Sequence, residues 1–466
     1  MRYVSTRGQA PSLGFADTVL AGLASDGGLY VPDSYPELSH GELRALRGRS
    51  YAAVATRVIE PFVGDEIAHA DLARMIEEAY ATFAHPAVAP LVQMGPNAWM
   101  MELHHGRTLA FKDVAMQLLA RLMDHILTER NRRATIVGAT SGDTGGAAID
   151  AFADRDRTDV FILFPEGRVS DVQRRQMTAN GARNVHAVAV RGDFDDCQAI
   201  VKAMFGDAAF REEVALSGVN SINWARIVAQ VVYYVTTALA LGSPERAVSF
   251  CVPTGNFGDV FAGYVAERMG VPIERLVVAT NDNDLLDRTL ATGRYERRAV
   301  VQTTSPSMDI AVSSNFERLL FDAYGRDASE VRAAMDGLAQ SGGFAIKDEA
   351  LNRMRGLFGA GMCDQAAAKR RIERTMVETD IVVDPHTAIG LEVAEAHAAE
   401  APMVTLATAH AAKFPAAVRA AIGQEPAVPP RLSGLMERDE RYDVLPNEMA
   451  AVQHYIRERT RAVMAA

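Results

Sequence analysis

Apolar segments rich in valine and isoleucine alternate with helical segments through most of this 466-residue sequence. Buried strands are predicted in the segment that begins at Ala134 and at residues 160–164, 184–190, 248–252, 276–280, 381–383 and 403–408. Continuous apolar strands separated by helices are typical of a parallel sheet that helices cover on both faces. We therefore predict an α/β fold in which ligands bind beyond the carboxyl ends of the strands.

The length of the chain predicts two or three domains, because one hydrophobic core rarely extends over so many residues. The first part of the chain is mixed in character and contains two helical patterns, after which Pro86 and Pro90 interrupt the sequence. We predict an N-terminal domain over residues 1–95 and a larger region over residues 96–466.

Composition and charge exclude several classes of function. The net charge of −11 argues against binding to nucleic acid or to an anionic membrane through the overall field. The longest apolar run, residues 231–241, is too short to cross a bilayer, and the first residues lack the apolar core of a signal peptide. Cys197, Cys251 and Cys363 are widely spaced and are predicted to be unpaired core residues. We expect a cytoplasmic protein that holds anionic ligands through local clusters.

Lys112 occupies an unusual position for a structural lysine. It follows a short apolar run, and apolar residues recur at helical spacing over residues 115–126, so that Lys112 lies close to a helix N-terminus. The positive end of the helix dipole disfavours a cation there. The position suits a lysine that must lose its proton, as a Schiff-base lysine does. The alternative, a solvated surface lysine, is the more common case for a single lysine.

Two glycine-rich loops each lie between a predicted strand and a helix. They are Gly255-Asn-Phe-Gly-Asp259 and Thr140-Ser-Gly-Asp-Thr-Gly-Gly146. Their glycines allow close approach of the backbone to an anion, and the following helix offers unpaired N–H groups. Neither loop has Walker A or G-x-G-x-x-G spacing, and either could be an ordinary turn. Together with Lys112 they suggest a phosphorylated cofactor and an anionic substrate.

Four histidines raise the question of a metal site: His104, His105, His386 and His410. No H-E-x-x-H pattern or Cys/His spacing supports one, and we predict no metal. A position of His386 and His410 along a ligand pocket stays open.

Several segments carry a family resemblance. Leu109-Ala-Phe-Lys-Asp113, Ala139-Thr-Ser-Gly-Asp-Thr-Gly145 and Pro253-Thr-Gly-Asn-Phe-Gly-Asp259 resemble signature segments of threonine synthases. The likeness extends to Tyr3-Val-Ser-Thr-Arg-Gly8, Gly192-Asp-Phe-Asp-Asp-Cys197, Asn220-Ser-Ile-Asn-Trp-Ala-Arg226, Asp384-Pro-His-Thr-Ala388 and Thr408-Ala-His-Ala-Ala-Lys-Phe414. It implies a fold-type II, pyridoxal-phosphate-dependent enzyme like the tryptophan synthase β-subunit. Its catalytic region, residues 96–466, would contain a large domain and an inserted small domain at roughly 113–200. An N-terminal domain is added in the longer branch of the family.

The resemblance also implies a role for individual residues. Lys112 would be the Schiff-base lysine, and Thr408 would bond the pyridine nitrogen. The cup for the cofactor phosphate would consist of Gly255, Asn256, Phe257, Gly258 and Asp259, largely through backbone N–H groups. The substrate carboxylate would be held by Ser141, Gly142, Asp143 and Thr144. Arg226 is the first candidate for the substrate phosphate, with Asn223 and Ser221 beside it, because guanidinium groups fit phosphate well. Lys413 and Arg168 are weaker candidates.

The reaction implied by the resemblance converts O-phosphohomoserine and water to threonine and phosphate. One alternative is a phospho-lyase on the same scaffold, which would release phosphate and 2-oxobutyrate. Another is a catalytically silent homologue that binds ligands or partners, although Lys112 and both glycine loops argue against it. The sequence leaves the oligomeric state open.

Overall fold

The computed structural model describes residues 1–397 and 400–463. Its strands are β1 (Tyr3–Ser5), β2 (Tyr30–Pro32), β3 (Leu91–Gln93), β4 (Ala98–Glu102), β5 (Ala134–Ala139), β6 (Thr158–Pro165), β7 (Val185–Val190), β8 (Leu216–Ser217), β9 (Val248–Pro253), β10 (Ile273–Thr280), β11 (Arg294–Glu296), β12 (Gly343–Ala345), β13 (Phe358–Met362), β14 (Met403–Ala407) and β15 (Asp443–Leu445).

The helices connect these strands and cover the sheets. They are α1 (Phe15–Ala21), α2 (His40–Leu46), α3 (Tyr51–Val63), α4 (His69–Tyr80), α5 (Lys112–Glu129), α6 (Asp143–Phe152), α7 (Asp171–Thr178), α8 (Phe194–Gly206), α9 (Ala208–Glu213), α10 (Trp224–Ala240), α11 (Gly258–Arg268), α12 (Leu285–Thr292), α13 (Phe316–Ala323), α14 (Ala328–Ser341), α15 (Asp348–Leu357), α16 (Gln365–Thr379), α17 (Pro385–Ala396), α18 (Pro415–Ile422) and α19 (Met449–Arg457).

Two larger sheets organise the chain, and both are mostly parallel. The six-stranded sheet has the order β13-β10-β9-β14-β4-β3, and only β3 runs antiparallel to its neighbour. The five-stranded sheet has the order β15-β7-β6-β5-β8, with parallel strands throughout. The predicted α/β fold is therefore confirmed, because the apolar segments pair in parallel between helices.

The N-terminal region packs directly on the rest of the protein. Helix α3 contacts α10, and α4 contacts α5. The buried guanidinium of Arg318 donates to the carbonyl oxygens of Tyr30 and Ile222, 3.1 and 2.6 Å away. Arg7 forms an ion pair with Glu317 at 3.0 Å. The strands of the five-stranded sheet come from residues 134–217 and from β15. The proposed limits of the N-terminal domain and of the inserted small domain stay predictions.

One predicted strand is wrong. Residues 381–383 form no strand, and they connect helix α16 to helix α17. The apolar triplet lies between two helices, and both neighbours of β14 in the six-stranded sheet, β9 and β4, are other segments. Three apolar residues are too few to distinguish a strand from a buried connection.

Two further expectations concern composition. Cys197, Cys251 and Cys363 are buried and unpaired, which confirms their interpretation as core residues. Within residues 1–397 and 400–463, no helix is both long and apolar enough to cross a membrane.

Candidate active site

Lys112 lies at the first position of helix α5, as predicted, and its side chain is buried. Its Nζ donates to Ser307 Oγ at 3.0 Å and lies 3.4 Å from Asp143 Oδ2. Burial lowers the pKa of Lys112; Asp143 opposes this effect, whereas Lys413 and Arg226 add to it. The arrangement favours loss of a proton from this amine, because the uncharged form avoids the cost of desolvation.

Asp143 is held between two lysines. Lys413, which is completely buried, places its Nζ 2.9 Å from Asp143 Oδ1. Burial alone would raise the pKa of Asp143, but Lys413 and Lys112 outweigh it and hold the pKa well below the ordinary value. The Asp143 carboxylate is therefore occupied by its ion pairs with the two lysines. A substrate carboxylate would be repelled by this side chain and could bond only to the backbone N–H groups and hydroxyl groups nearby.

The loop before α6 is constrained by Thr140. The Thr140 Oγ1 accepts hydrogen bonds from the N–H groups of Gly142 and Gly145, both at 2.9 Å. Gly142 has φ of 139°, and a Cβ atom there would lie 2.4 Å from Gln173 Cδ. Gln173 in turn donates to Asp143 Oδ1 at 3.0 Å. Ser141 and Thr144 are half-buried on the same loop. A glycine is required at position 142 on both conformational and steric grounds.

The second glycine loop joins β9 to α11. A Cβ atom on Gly255 would lie 2.5 Å from Ser307 O, so that only glycine fits there. Phe257 adopts a left-handed φ of 64°, and its buried ring lies 5.4 Å from the ring of Phe316. Among the residues that the structure describes, no side chain caps the start of α11, which leaves the first N–H groups of the helix available to an anion. The loop fits the phosphate of the implied cofactor.

The side chain of Asp259 does not face this loop. The hydroxyl groups of Tyr233 and Tyr234 on α10 both donate to its Oδ1. Burial raises the pKa of Asp259 to about 6, although the two hydroxyl groups lower it. Asp259 therefore fastens α11 to α10, and its backbone N–H alone is available for the predicted cup.

A pH-dependent stability follows from Asp259. Its folded pKa of about 6 exceeds the ordinary value, so its contribution to stability is complete below about pH 4 and is lost as the pH rises through 6. Between pH 4 and 7, the free energy of unfolding of the wild type should fall by roughly 3 kcal/mol relative to Asp259→Asn. Urea unfolding at several pH values measures this slope. Asp439→Asn, at an exposed position, should leave the slope unchanged, and a similar slope in Asp259→Asn would contradict the argument.

Thr408 directly follows β14 and lies beside the start of α5. Its carbonyl oxygen accepts from the N–H of Phe111 at 2.8 Å, and Ala110 pairs with Ala409. The residue is 5% exposed, and its hydroxyl forms no hydrogen bond within the described residues. The hydroxyl is thus free to meet a ligand atom near Lys112.

The residues predicted to bind the substrate phosphate have different environments. Arg226 is buried, donates only to Val219 O at 3.2 Å, and has a buried Nε without a hydrogen-bond partner in the described residues. Burial lowers its pKa to about 10. The side-chain oxygen of Asn223 caps α10 by accepting from Ala225 N, and its side-chain nitrogen donates to Val19 O. Both ends of this amide therefore already form hydrogen bonds. Ser221 is half-buried, and Arg168 is exposed. Arg226 therefore combines burial with unused capacity for an anion.

The histidines divide into two groups. The Nδ1 of His386 lies 2.6 Å from Asp384 Oδ2, and its Nε2 accepts from Ser307 N at 3.3 Å. Across the site, the rings of His104 and His410 lie 5.2 Å apart, and burial lowers the pKa of His104 to about 4. His105 contacts Glu102. Within the described residues, no three His, Cys, Asp or Glu side chains are placed to hold a metal ion. His386 adjoins the residues around Lys112.

Sequence reasoning missed Ser307 and Gln173. Ser307 lies in a short 3-10 helix, Pro306–Met308, 195 residues from Lys112, and no motif marks it. Gln173 is the fourth residue of a capping box that begins at Ser170, a pattern that predicts the start of α7. That pattern contains no information about its contact with Asp143. The roles assigned to individual residues stay predictions.

One comparison over the full chain decides the family. A threonine synthase from Pseudomonas aeruginosa is 52% identical over 459 residues, which cover 98% of each protein. The chain belongs to the threonine synthase family. The family models "Threonine synthase N terminus", "Pyridoxal-phosphate dependent enzyme" and "Threonine synthase, C-terminal" match residues 2–80, 85–357 and 387–456.

Solved structures of the threonine synthase family agree with this assignment. The structure of a pyridoxal-phosphate-bound threonine synthase from Brucella melitensis has a TM-score of 0.97 and 61% identity, covering 99% of this chain and 100% of that one. A yeast threonine synthase has a TM-score of 0.93 and 36% identity, covering 98% of both chains. The resemblance, the fold-type II class and the dependence on pyridoxal phosphate are confirmed.

Proposed function

We propose that this enzyme converts O-phosphohomoserine and water to threonine and phosphate, with pyridoxal phosphate as its cofactor. The observation that carries the proposal is the position of Lys112 Nζ. This buried amine contacts Asp143 of the first glycine loop and Ser307, which packs against Gly255 of the second. The preceding residue, Phe111, bonds to the carbonyl oxygen of Thr408. The similarity to a threonine synthase, which extends over nearly the full chain, supports the same reaction.

The residues around Lys112 suit a reaction that moves several protons. The cofactor supplies a conjugated ring that takes up the electrons released when a proton leaves the substrate. Lys112, with its lowered pKa, is placed to accept the proton from the substrate Cα and to return protons later. Ser307 holds the Nζ atom at 3.0 Å, and Asp143 limits the fall in its pKa. We assign the contact with the pyridine nitrogen to Thr408.

The two glycine loops would bind the two ligands. The N–H groups at the start of α11 would hold the cofactor phosphate, and those of residues 141–144 would hold the substrate carboxylate. Arg226 would bind the substrate phosphate, because a buried guanidinium with a free Nε gains a charge-assisted partner there. We also propose a cytoplasmic location, consistent with three buried and unpaired cysteines.

Product analysis tests the reaction. Purified protein with pyridoxal phosphate and O-phosphohomoserine should release phosphate and threonine in equal amounts. Phosphate matched by 2-oxobutyrate would instead identify a phospho-lyase, and absence of turnover would identify a silent homologue or a different substrate.

Arg226→Ala should raise the KM for O-phosphohomoserine by about a hundredfold, because a charge-assisted contact with phosphate is worth about 1.5–3 kcal/mol. Steady-state kinetics give this value. Arg419→Ala, at an exposed arginine paired with Glu425, is the matched control. An unchanged KM in Arg226→Ala would remove this residue from the substrate site.

Ser307→Ala should lower kcat by about tenfold with little change in KM, because a lost hydrogen bond to the reacting amine costs about 1.5 kcal/mol. Ser329→Ala, in an exposed helix start, should behave as the wild type. Equal effects in both variants, or none in either, would show that the contact of Ser307 with Lys112 has no catalytic importance.

A further inference from the structure

A cavity of about 510 Å³ lies beside residues that contact Lys413. The loop before α5, helices α6 and α7, and the segment 431–438 line it. Four arginines contribute to its wall: Arg107, Arg175, Arg431 and Arg438. None of the residues predicted to bind the cofactor or the substrate lines this cavity, which is large enough for a small metabolite.

The charges in this cavity are only partly compensated. Two carboxylates, Asp150 and Asp154, line it beside the four arginines. Arg107 pairs with Asp150 at 2.9 Å. Arg175 donates to Arg438 O at 2.8 Å and lies 3.3 Å from Glu440, but its buried Nε has no hydrogen-bond partner in the described residues. The cavity therefore carries excess positive charge in a chain whose net charge is −11.

Arg431 and Arg438 are the less constrained pair of the cavity's arginines in the described part of the chain. Burial raises the pKa of Asp150, and Arg431 lies near enough to oppose this rise together with Arg107. Among residues 1–397 and 400–463, no group forms a hydrogen bond or an ion pair with the guanidinium groups of Arg431 and Arg438. Unpaired guanidinium groups that converge on one cavity present the planar donor pattern that phosphate groups accept. The apolar part of the wall contains Leu432, Leu435 and three alanines, without an aromatic ring on which a base could stack.

We propose that this cavity is a binding site for a small, non-aromatic ligand that carries phosphate groups, distinct from the cofactor and the substrate. The inference goes beyond the proposed reaction, since it concerns a separate site. Contacts also connect the cavity to the active site. Gln176, which lines the cavity, donates to Thr108 O at 3.0 Å and accepts from Lys413 Nζ at 2.9 Å. A ligand that displaces Gln176 therefore perturbs the ion pair between Lys413 and Asp143.

Calorimetric titration of the cofactor-loaded protein with inorganic pyrophosphate tests the proposal. We expect a binding event that survives Arg226→Ala, since Arg226 belongs to the substrate site. The same event should weaken at least tenfold in the double variant Arg431→Gln/Arg438→Gln, and it should persist in Arg419→Gln. Within the described residues, the side chains of both arginines form no hydrogen bond or ion pair, and the carbonyl oxygen through which Arg438 binds Arg175 is kept in the variant. The thermal unfolding midpoint of the double variant should therefore match that of the wild type.

Other outcomes would overturn the proposal. Absence of binding would do so, as would binding that disappears in Arg226→Ala and persists in the double variant, because pyrophosphate would then occupy the active site. Citrate bound more tightly than pyrophosphate would contradict a phosphate-bearing ligand. Because the titration measures binding and not turnover, its result is independent of the products that the enzyme forms.

Discussion

Replacement of Lys112 with alanine should reduce kcat for threonine formation by at least about a thousandfold, which exceeds the usual effect of losing an ordinary contact. In the described residues, Lys112 is the only lysine whose Nζ contacts both Asp143 of the first glycine loop and Ser307, whose carbonyl oxygen packs against Gly255 of the second. Its removal would leave no amine to carry the cofactor or to accept the proton from the substrate. Phosphate release and threonine formation should fall together in single-turnover and steady-state assays.

The fold should survive this replacement. Asp143 keeps Lys413 at 2.9 Å and Gln173 at 3.0 Å, so its buried carboxylate stays paired after Lys112 is removed. Lys369→Ala, at an exposed position on α16, serves as the control and should retain full activity. A tenth or more of the wild-type kcat in Lys112→Ala, with a normal unfolding midpoint, would refute the assigned role.

Lys413→Met should lower the free energy of unfolding by about 3–5 kcal/mol, the cost expected when a buried ion pair loses one partner. Lys413 is fully buried, and its Nζ contacts Asp143 Oδ1 at 2.9 Å, Thr108 O at 2.7 Å and Gln176 Oε1 at 2.9 Å. Methionine fills a similar volume without supplying the charge or the donors. Urea unfolding at pH 7 measures the loss.

Two variants separate the charge from the packing. The double variant Lys413→Met/Asp143→Asn should recover part of the stability, because the buried carboxylate that keeps only its 3.4 Å ion-pair contact with Lys112 is then replaced by a neutral amide. Lys347→Met, which removes an exposed lysine paired with Glu330, should change the stability by less than about 0.5 kcal/mol. If Lys413→Met were no more destabilising than Lys347→Met, the buried pair would have no structural importance.

The difference between Lys413→Met and the wild type should also depend on pH. The two lysines depress the pKa of Asp143 in the folded protein, so the carboxylate stabilises the fold at pH values above the ordinary aspartate pKa. That contribution disappears as the pH falls through the folded pKa. Unfolding curves at pH 7 and pH 3 should therefore show a larger difference between the two proteins at pH 7.

The sequence by itself determined the features that depend on a few neighbouring residues. The apolar runs predicted three strands of each large sheet, β5, β6 and β7 in one and β9, β10 and β14 in the other, because burial on both faces requires continuous apolar sequence. The helical spacing of apolar residues over 115–126 placed Lys112 close to a helix N-terminus, and α5 begins at that residue. The glycines at 142 and 255 marked turns that a Cβ atom would obstruct. These signals, with the resemblance of the motifs, were sufficient for the family, the cofactor and the reaction.

Only the tertiary structure decided which side chains meet and in which direction they point. Ser307 contacts Lys112 although 195 positions separate them in the chain. Lys413 is the principal ion-pair partner of Asp143. Asn223 and Asp259 were predicted from motifs as site residues, yet their side chains face Val19 and the tyrosines of α10. The physical reason is that the backbone N–H groups at a helix start point along the helix axis, whereas the side chains point in other directions. A residue can therefore belong to a binding motif while its side chain contacts another part of the protein. Contacts between distant segments depend on how the sheets and helices pack, which no local pattern contains.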